Sequence, residues 1–117
     1  MQTSPLADLA QRLRAFADER DWDQFHSPKN LAMALVAEAG ELAAEFQWAT
    51  EAQSKLPSAE RRARVEAEVA DVLNYLVRLA DKLGIDLIAA ANSKIDENAK
   101  RYPADKVRGS AKKYTEY

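Results

Sequence analysis

The sequence of 117 residues contains no cysteine, only three glycines and only four prolines. Without cysteine the chain has neither disulfides nor thiolate chemistry, which suits a reducing compartment, and we expect a cytoplasmic protein. Few glycines and prolines leave little material for hairpin turns, whereas residues that favour helices are plentiful. The composition therefore predicts an all-α fold.

A long hydrophobic run and a strong excess of one charge are also missing. The longest apolar stretch, residues 31–37, is far shorter than the ~20 residues that span a bilayer, and the amino terminus lacks the pattern of an export signal. The net charge is -2, and the two signs are interspersed, so no basic face for a nucleic-acid polymer is expected. We predict neither a membrane nor a nucleic-acid partner, and expect any phosphate-bearing ligand to bind through metal ions.

Two Ser-Pro pairs mark the beginnings of the first two predicted helices. Residues 4–5 and 27–28 each provide a capping serine and a first-turn proline. Apolar spacing then predicts helices that run to about Arg20 and about Trp48. The intervening residues 21–26 are predicted to form a loop.

A third and a fourth helix follow from later start and stop signals. Residues 50–57 interrupt the helical pattern, after which Ser58 can cap a long helix that stops at Gly84. Asp86 can cap a fourth helix, which ends near Pro103 because proline cannot continue it. The core stripe of the third helix is predicted at Val65, Val69, Val72, Leu76, Leu79 and Leu83.

The pattern predicts one domain and a tail. Residues 1–103 hold the four helices and are expected to form a four-helix bundle, because no linker or internal repeat divides them. Residues 104–117 are polar and basic and are predicted to be a flexible carboxy-terminal tail.

Acidic residues lie on helix faces that are expected to pack inward. On the second helix, Glu38 aligns with Leu31, Leu35 and Leu42, and Glu41 lies beside it. On the third helix an acidic pair three residues apart flanks the apolar stripe. If the two helices pack antiparallel, four carboxylates converge, and such an all-oxygen set suits Mg²⁺, or Mn²⁺ as a substitute. The predicted metal ligands are Glu38, Glu41, Glu68 and Asp71.

Three further polar residues are predicted on inward faces. Tyr75 extends the acidic flank of the third helix by one turn, and Lys94 and Asn98 align with the apolar side of the fourth. Together with the carboxylates they would form a site suited to phosphoryl transfer, where charge neutralisation supplies much of the catalysis.

Other interpretations of these residues stay open. The carboxylates could form surface salt bridges with Arg61, Arg62, Arg64 or Arg78, and the residues alone favour neither reading. The chain could also be a non-catalytic helical module whose acidic faces bind a basic partner. His26 is the only histidine, so a histidine-rich zinc site or a catalytic triad is excluded.

Three segments resemble the MazG-like nucleotide pyrophosphohydrolases, and in particular the dCTP pyrophosphatase branch of that family. They are FHSPKNLAMALVAEAGELAAEFQW at 25–48, EVADVLNY at 68–75 and SKIDENAKRYP at 93–103. The resemblance covers about residues 6–103. Differences lie in the short loop 50–57, in the tail, and in Asn74, where a hydrophobic residue is more usual.

The resemblance implies a function as well as a fold. It implies an all-α homodimer or homotetramer that hydrolyses a nucleoside triphosphate, such as dCTP or a modified dCTP, between the α- and β-phosphates, and so clears unwanted nucleotides. The same chemistry on dUTP or another nucleotide is an alternative. The four carboxylates would be catalytic and metal-binding, and the implied substrate contacts are Trp22, His26, Trp48, Tyr75, Lys94 and Asn98.

Overall fold

The computed structural model describes residues 4–110, in which it contains helices and no strand. The α-helices are α1 (Pro5–Glu19), α2 (Pro28–Ala44), α3 (Glu51–Lys55), α4 (Ala59–Leu83), α5 (Leu87–Arg101) and α6 (Ala104–Val107). A short 3₁₀ helix, Asp23–Phe25, lies between α1 and α2. The prediction of an all-α fold is confirmed.

The four long helices begin at the predicted caps. The side chains of Ser4, Ser27 and Ser58 accept hydrogen bonds from the backbone N–H three residues later, at 3.0, 3.1 and 3.2 Å. Asp86 caps α5 in the same way at 3.0 Å. Gly84 ends α4 with φ at +66°, a left-handed conformation in which glycine has no steric penalty.

The region after α2 differs from the prediction. The helix ends at Ala44 instead of continuing to Trp48, because the backbone changes to hydrogen bonds between residues three apart over 45–49. The predicted break at 50–57 contains the short helix α3. A capping box begins this helix and could have predicted it from the sequence. In it, the side chains of Thr50 and Gln53 each accept a hydrogen bond from the other residue's backbone N–H.

In the first unit, which ends at Gly84, α1 and α2 both pack against α4. A bidentate ion pair at 2.7 and 3.1 Å joins Arg14 of α1 to Asp81 near the end of α4. Because two helices cover α4, its most buried residues differ from the predicted stripe. They are Val77, Arg78 and Ala80, while Val69, Leu73, Leu76 and Leu83 of the same helix are exposed.

The second unit begins at Ile85 and contains α5 and α6. Within the described chain α5 has no buried residue, and Lys94 and Asn98, which were predicted to face inward, are exposed. Glu97 pairs with Lys94 and Arg101. The helix α6 lies inside the predicted tail 104–117, of which residues 111–117 lie outside the described residues. The boundary between domain and tail stays a prediction.

None of the helices in residues 4–110 combines the length and the apolar character needed to cross a membrane.

Candidate active site

Carboxylates from α2 and α4 converge where these helices pack together. One oxygen from each of Glu38, Glu41 and Glu68 lies within 4.8 Å of the other two. Glu38 and Glu68 are partly buried, whereas Glu41 is exposed. We call these three residues the acidic cluster. Three of the four carboxylates that the sequence predicts to meet therefore do so.

Residues 4–110 provide no ion-pair partner for the acidic cluster. Three of the four arginines named as alternative partners pair elsewhere, Arg62 with Glu66 at 3.4 Å, Arg64 with Glu45 at 2.8 Å and Arg78 with Asp23 at 2.7 Å. Over residues 4–110, no ion pair reaches Glu38, Glu41, Glu68 or Asp71. Within the described residues the alternative salt bridges are therefore not formed: Arg62, Arg64 and Arg78 pair with other acids, and Arg61 pairs with none.

Two atoms of the acidic cluster are suited to a cation. Oε2 of Glu38 and Oε2 of Glu68 are buried and have no hydrogen-bond partner. A buried carboxylate oxygen without a partner is destabilising unless a cation or donor meets it. Carboxylate oxygens are the ligands that hard divalent cations prefer, so these residues fit Mg²⁺ or Mn²⁺.

The electrostatics of the acidic cluster lead to the same conclusion. Burial raises the pKa of Glu38 and that of Glu68 above the ordinary value, and the charge of Glu41 raises both further. Asp71 also contributes to both shifts, although it is not one of the three residues whose oxygens lie within 4.8 Å of one another. A bound cation would relieve this repulsion.

A cavity of about 440 Å³ lies in the first unit, between residues of α1, the connection from α1 to α2, and α4. Four predicted site residues line it, namely Trp22, His26, Asp71 and Tyr75. Its size falls within the range of small-molecule sites. Asp71 therefore joins the two parts of the site, because it lines the cavity and acts electrostatically on the acidic cluster.

The cavity also contains residues that the sequence analysis did not assign to the site. Asn74 and Arg78 of α4 line it. Helical spacing could have identified them, because they follow Asp71 by three and seven residues and so lie on the same face of the helix. On α1, Phe16 packs edge-to-face with Trp22, with ring centroids 5.7 Å apart. The remaining lining residues are Leu9, Arg12, Leu13 and Ala17.

Buried Arg78 connects α4 to the segment between α1 and α2. Its Nη2 donates a hydrogen bond to Asp23 at 2.7 Å, and its Nε donates to Nδ1 of His26 at 3.2 Å. Lys82 also binds Asp23 and, with Arg78, holds the pKa of that carboxyl below its usual range. Burial, followed by the charge of Arg78, lowers the pKa of His26.

Three predicted substrate contacts do not line this cavity. Trp48 follows α2 and is 87% exposed. Lys94 and Asn98 belong to α5 in the second unit, where both are exposed and Lys94 pairs with Glu97 at 3.3 Å. Their roles stay predictions.

Comparison with known proteins identifies similar sequences and a similar structure. The profile of the MazG-like family matches residues 33–117. Human dCTP pyrophosphatase 1 is 50% identical over 115 residues, which cover 96% of this chain and 68% of the human protein. The mouse protein of the same name is 49% identical over 116 residues, which cover 96% of this chain and 68% of that protein.

A solved structure extends the comparison to the fold. The crystal structure of a pyrophosphatase from Archaeoglobus fulgidus matches with a TM-score of 0.79 and 38% sequence identity, covering 88% of this chain and 96% of that one. The predicted fold class is therefore confirmed.

The raised pKa of Glu68 predicts how pH affects stability. In the folded chain the carboxyl group of Glu68 has a pKa above its ordinary value of 4.5, so it holds its proton more tightly than in the unfolded chain. The free energy of unfolding therefore falls as the pH rises from 4.5 through the pKa of the folded state. In chelator-treated protein at neutral pH, we expect Glu68→Gln to raise the melting temperature and to weaken this pH dependence.

Glu66→Gln is the matched control, because Glu66 lies on the same helix and is exposed in a pair with Arg62. It is expected to leave the pH dependence of the melting temperature unchanged and to alter the melting temperature little. A lower melting temperature for metal-free Glu68→Gln than for the unsubstituted chain would contradict the predicted repulsion.

Proposed function

The chain belongs to the MazG-like family and is a nucleoside triphosphate pyrophosphohydrolase, and we propose that its substrate is dCTP or a modified dCTP and its cofactor Mg²⁺. The observation that carries the proposal is the acidic cluster, with two buried carboxylate oxygens that lack partners beside a cavity of nucleoside size. The products would be the monophosphate and pyrophosphate.

The proposed metal site consists of Glu38, Glu41, Glu68 and Asp71. When bound, Mg²⁺ would neutralise phosphate oxygens and lower the pKa of an attacking water molecule. The convergence of the first three and the charge coupling of the fourth support this assignment. Mn²⁺ is expected to substitute, because it accepts the same oxygen ligands.

In the proposed complex the cavity holds the nucleoside. The aromatic rings of Trp22, Phe16 and Tyr75 offer apolar surface to a base, and Asn74 offers both a donor and an acceptor. Because Asp71 lines this cavity and acts on the acidic cluster, a nucleoside here would carry its phosphates toward the carboxylates. Excluding water from this cavity would strengthen the electrostatic interactions within it.

The choice of dCTP is supported by the relatives. Human and mouse dCTP pyrophosphatase 1 are 50% and 49% identical to this chain. The side-chain amide of Asn74 is compatible with a modified cytosine, because it can form a hydrogen bond with a polar group added to the base. We also retain Lys94 and Asn98 as proposed phosphate or sugar contacts, and Trp48 as a proposed contact to the base.

We propose that the enzyme works in the cytoplasm as a homodimer or homotetramer and clears unwanted nucleotides. The oligomer is supported by large apolar side chains that the single chain leaves exposed. On α2, Met33 and Val36 are 65% and 68% exposed, and on α4 Val69 is 49% exposed. Burying such side chains against another copy would remove apolar area from water.

Hydrolysis of a nucleotide panel tests the substrate and the cofactor. We expect monophosphate and pyrophosphate from dCTP or a modified dCTP, separated by chromatography, in the presence of Mg²⁺ and not in the presence of a chelator. Faster turnover of dUTP or of a purine nucleotide would replace the proposed substrate, and full activity with chelator would contradict the proposed cofactor.

Replacement of Asp71 by asparagine tests the fourth carboxylate. This substitution keeps the size of the side chain and removes its charge, so we expect the turnover number to fall by about a hundredfold or more while the fold remains. Asp18→Asn, at an exposed position of α1, is the matched control and is expected to retain activity. Unchanged turnover in folded Asp71→Asn protein would remove Asp71 from the proposed site.

A further inference from the structure

Arg78 is the one charged residue in the described chain that is almost completely buried, with 4% of its surface exposed. Its guanidinium group spreads over two acids and one imidazole. The Nη2–Asp23 distance is 2.7 Å, the Nε–His26 Nδ1 distance is 3.2 Å, and Nη1 lies 3.6 Å from Asp81. Such a fork fixes the imidazole in direction as well as in position.

The contact between Arg78 and His26 determines where the imidazole carries its proton. A guanidinium group stays protonated and only donates hydrogen bonds, so Nδ1 of His26 must accept. A neutral imidazole has one N–H, which is then on Nε2. The charges around His26 favour the neutral ring, because burial and the charges of Arg78 and Lys82 lower its pKa more than Asp23 raises it.

His26 also lines the cavity, together with Trp22 and Tyr75. Within residues 4–110, its side chain makes no hydrogen bond other than the one through Nδ1, which leaves Nε2 for a ligand. Arg78 itself is engaged by its acids and by His26. Because His26 lines the cavity, an Nε2–H group held in place by Arg78 would be a donor for a ligand bound there.

We propose that Arg78 is a positioning residue that holds His26 as the Nε2–H tautomer, so that the cavity presents a hydrogen-bond donor to an acceptor atom of the substrate base. This proposal deepens the proposed function and rests on it for the identity of the ligand. The acceptor would be a carbonyl oxygen or an unprotonated ring nitrogen, and cytosine offers both. With the proton on Nδ1, Nε2 would instead accept from an exocyclic amino group, so Arg78 determines which kind of base atom His26 recognises.

Nitrogen NMR tests the tautomer directly, because His26 is the only histidine of the chain and its ring signals need no assignment. In uniformly ¹⁵N-labelled, ligand-free protein near neutral pH, we expect a donor-type Nε2 and an acceptor-type Nδ1. A proton on Nδ1, or a rapidly exchanging mixture of the two tautomers, would overturn the proposal. This measurement needs neither a substrate nor a variant.

Arg78→Lys separates the positioning role from the charge. Lysine keeps the positive charge, but its single ammonium group cannot reproduce the fork that reaches both Asp23 and His26. We expect a mixture of tautomers in the NMR spectrum. For the nucleotide that the unsubstituted enzyme hydrolyses fastest, we expect KM to rise about threefold to tenfold and kcat to change less than KM. An unchanged tautomer with an unchanged KM would overturn the proposal.

Two further variants separate loss of the donor from general damage to the loop. His26→Asn keeps an acceptor near the position of Nδ1 for Arg78 and removes the Nε2 donor, so KM is expected to rise as in Arg78→Lys. Lys82→Met removes the other cation bound to Asp23 but leaves the contact from Arg78 to His26, so tautomer and KM are expected to stay unchanged. A Lys82→Met enzyme with the same tautomer mixture and KM as Arg78→Lys would overturn the positioning role.

Failure of this proposal differs from failure of the proposed function. If no nucleoside triphosphate is hydrolysed, the proposed function is wrong, and the tautomer of ligand-free His26 still tests the effect of Arg78. If a nucleotide is hydrolysed but His26 carries its proton on Nδ1, the function stands and the positioning role of Arg78 is contradicted.

Discussion

Repulsion among carboxylates that no cation within residues 4–110 pairs with is the constraint on which the rest of the site depends. The packing of α2 on α4 brings together Glu38, Glu41 and Glu68, and it buries two oxygens without a partner. Such packing raises the free energy of the metal-free fold. The apolar contacts between the helices must outweigh this cost, and a divalent cation would remove it. Metal binding and stability are therefore expected to be coupled.

Three cations of α4 instead pair with acids outside the acidic cluster. Arg64 neutralises Glu45 just after α2, and Arg78 with Lys82 neutralises Asp23 in the connection between α1 and α2. Of the two cations bound to Asp23, Arg78 also lines the cavity and fixes the ring of His26. The same helix α4 thus supplies Glu68 and Asp71, which have no ion pair among the described residues, near its middle and the paired guanidinium group of Arg78 about two to three turns later. This distribution makes one region suited to a cation and the adjoining region suited to a base.

Periodicity and capping signals were sufficient to predict where the four long helices begin and the three carboxylates that form the acidic cluster. Ser27 with Pro28 located the start of α2, and the spacing of Glu38 from Leu31 located a carboxylate on the buried side. The sequence did not reveal the burial of Arg78, because a helix covered by both α1 and α2 buries more than one stripe. Nor did it show that Arg78 would meet His26, 52 positions earlier, because such a contact depends on tertiary packing.

Anomalous diffraction from crystals grown or soaked with Mn²⁺ tests the central claim most directly, since it locates the ion without reference to activity. The account predicts an anomalous peak bounded by the carboxylates of Glu38, Glu41, Glu68 and Asp71. The absence of a peak at these carboxylates, in a crystal that binds Mn²⁺ elsewhere, would contradict it. A crystal structure in which an arginine side chain neutralises the four carboxylates would also contradict it.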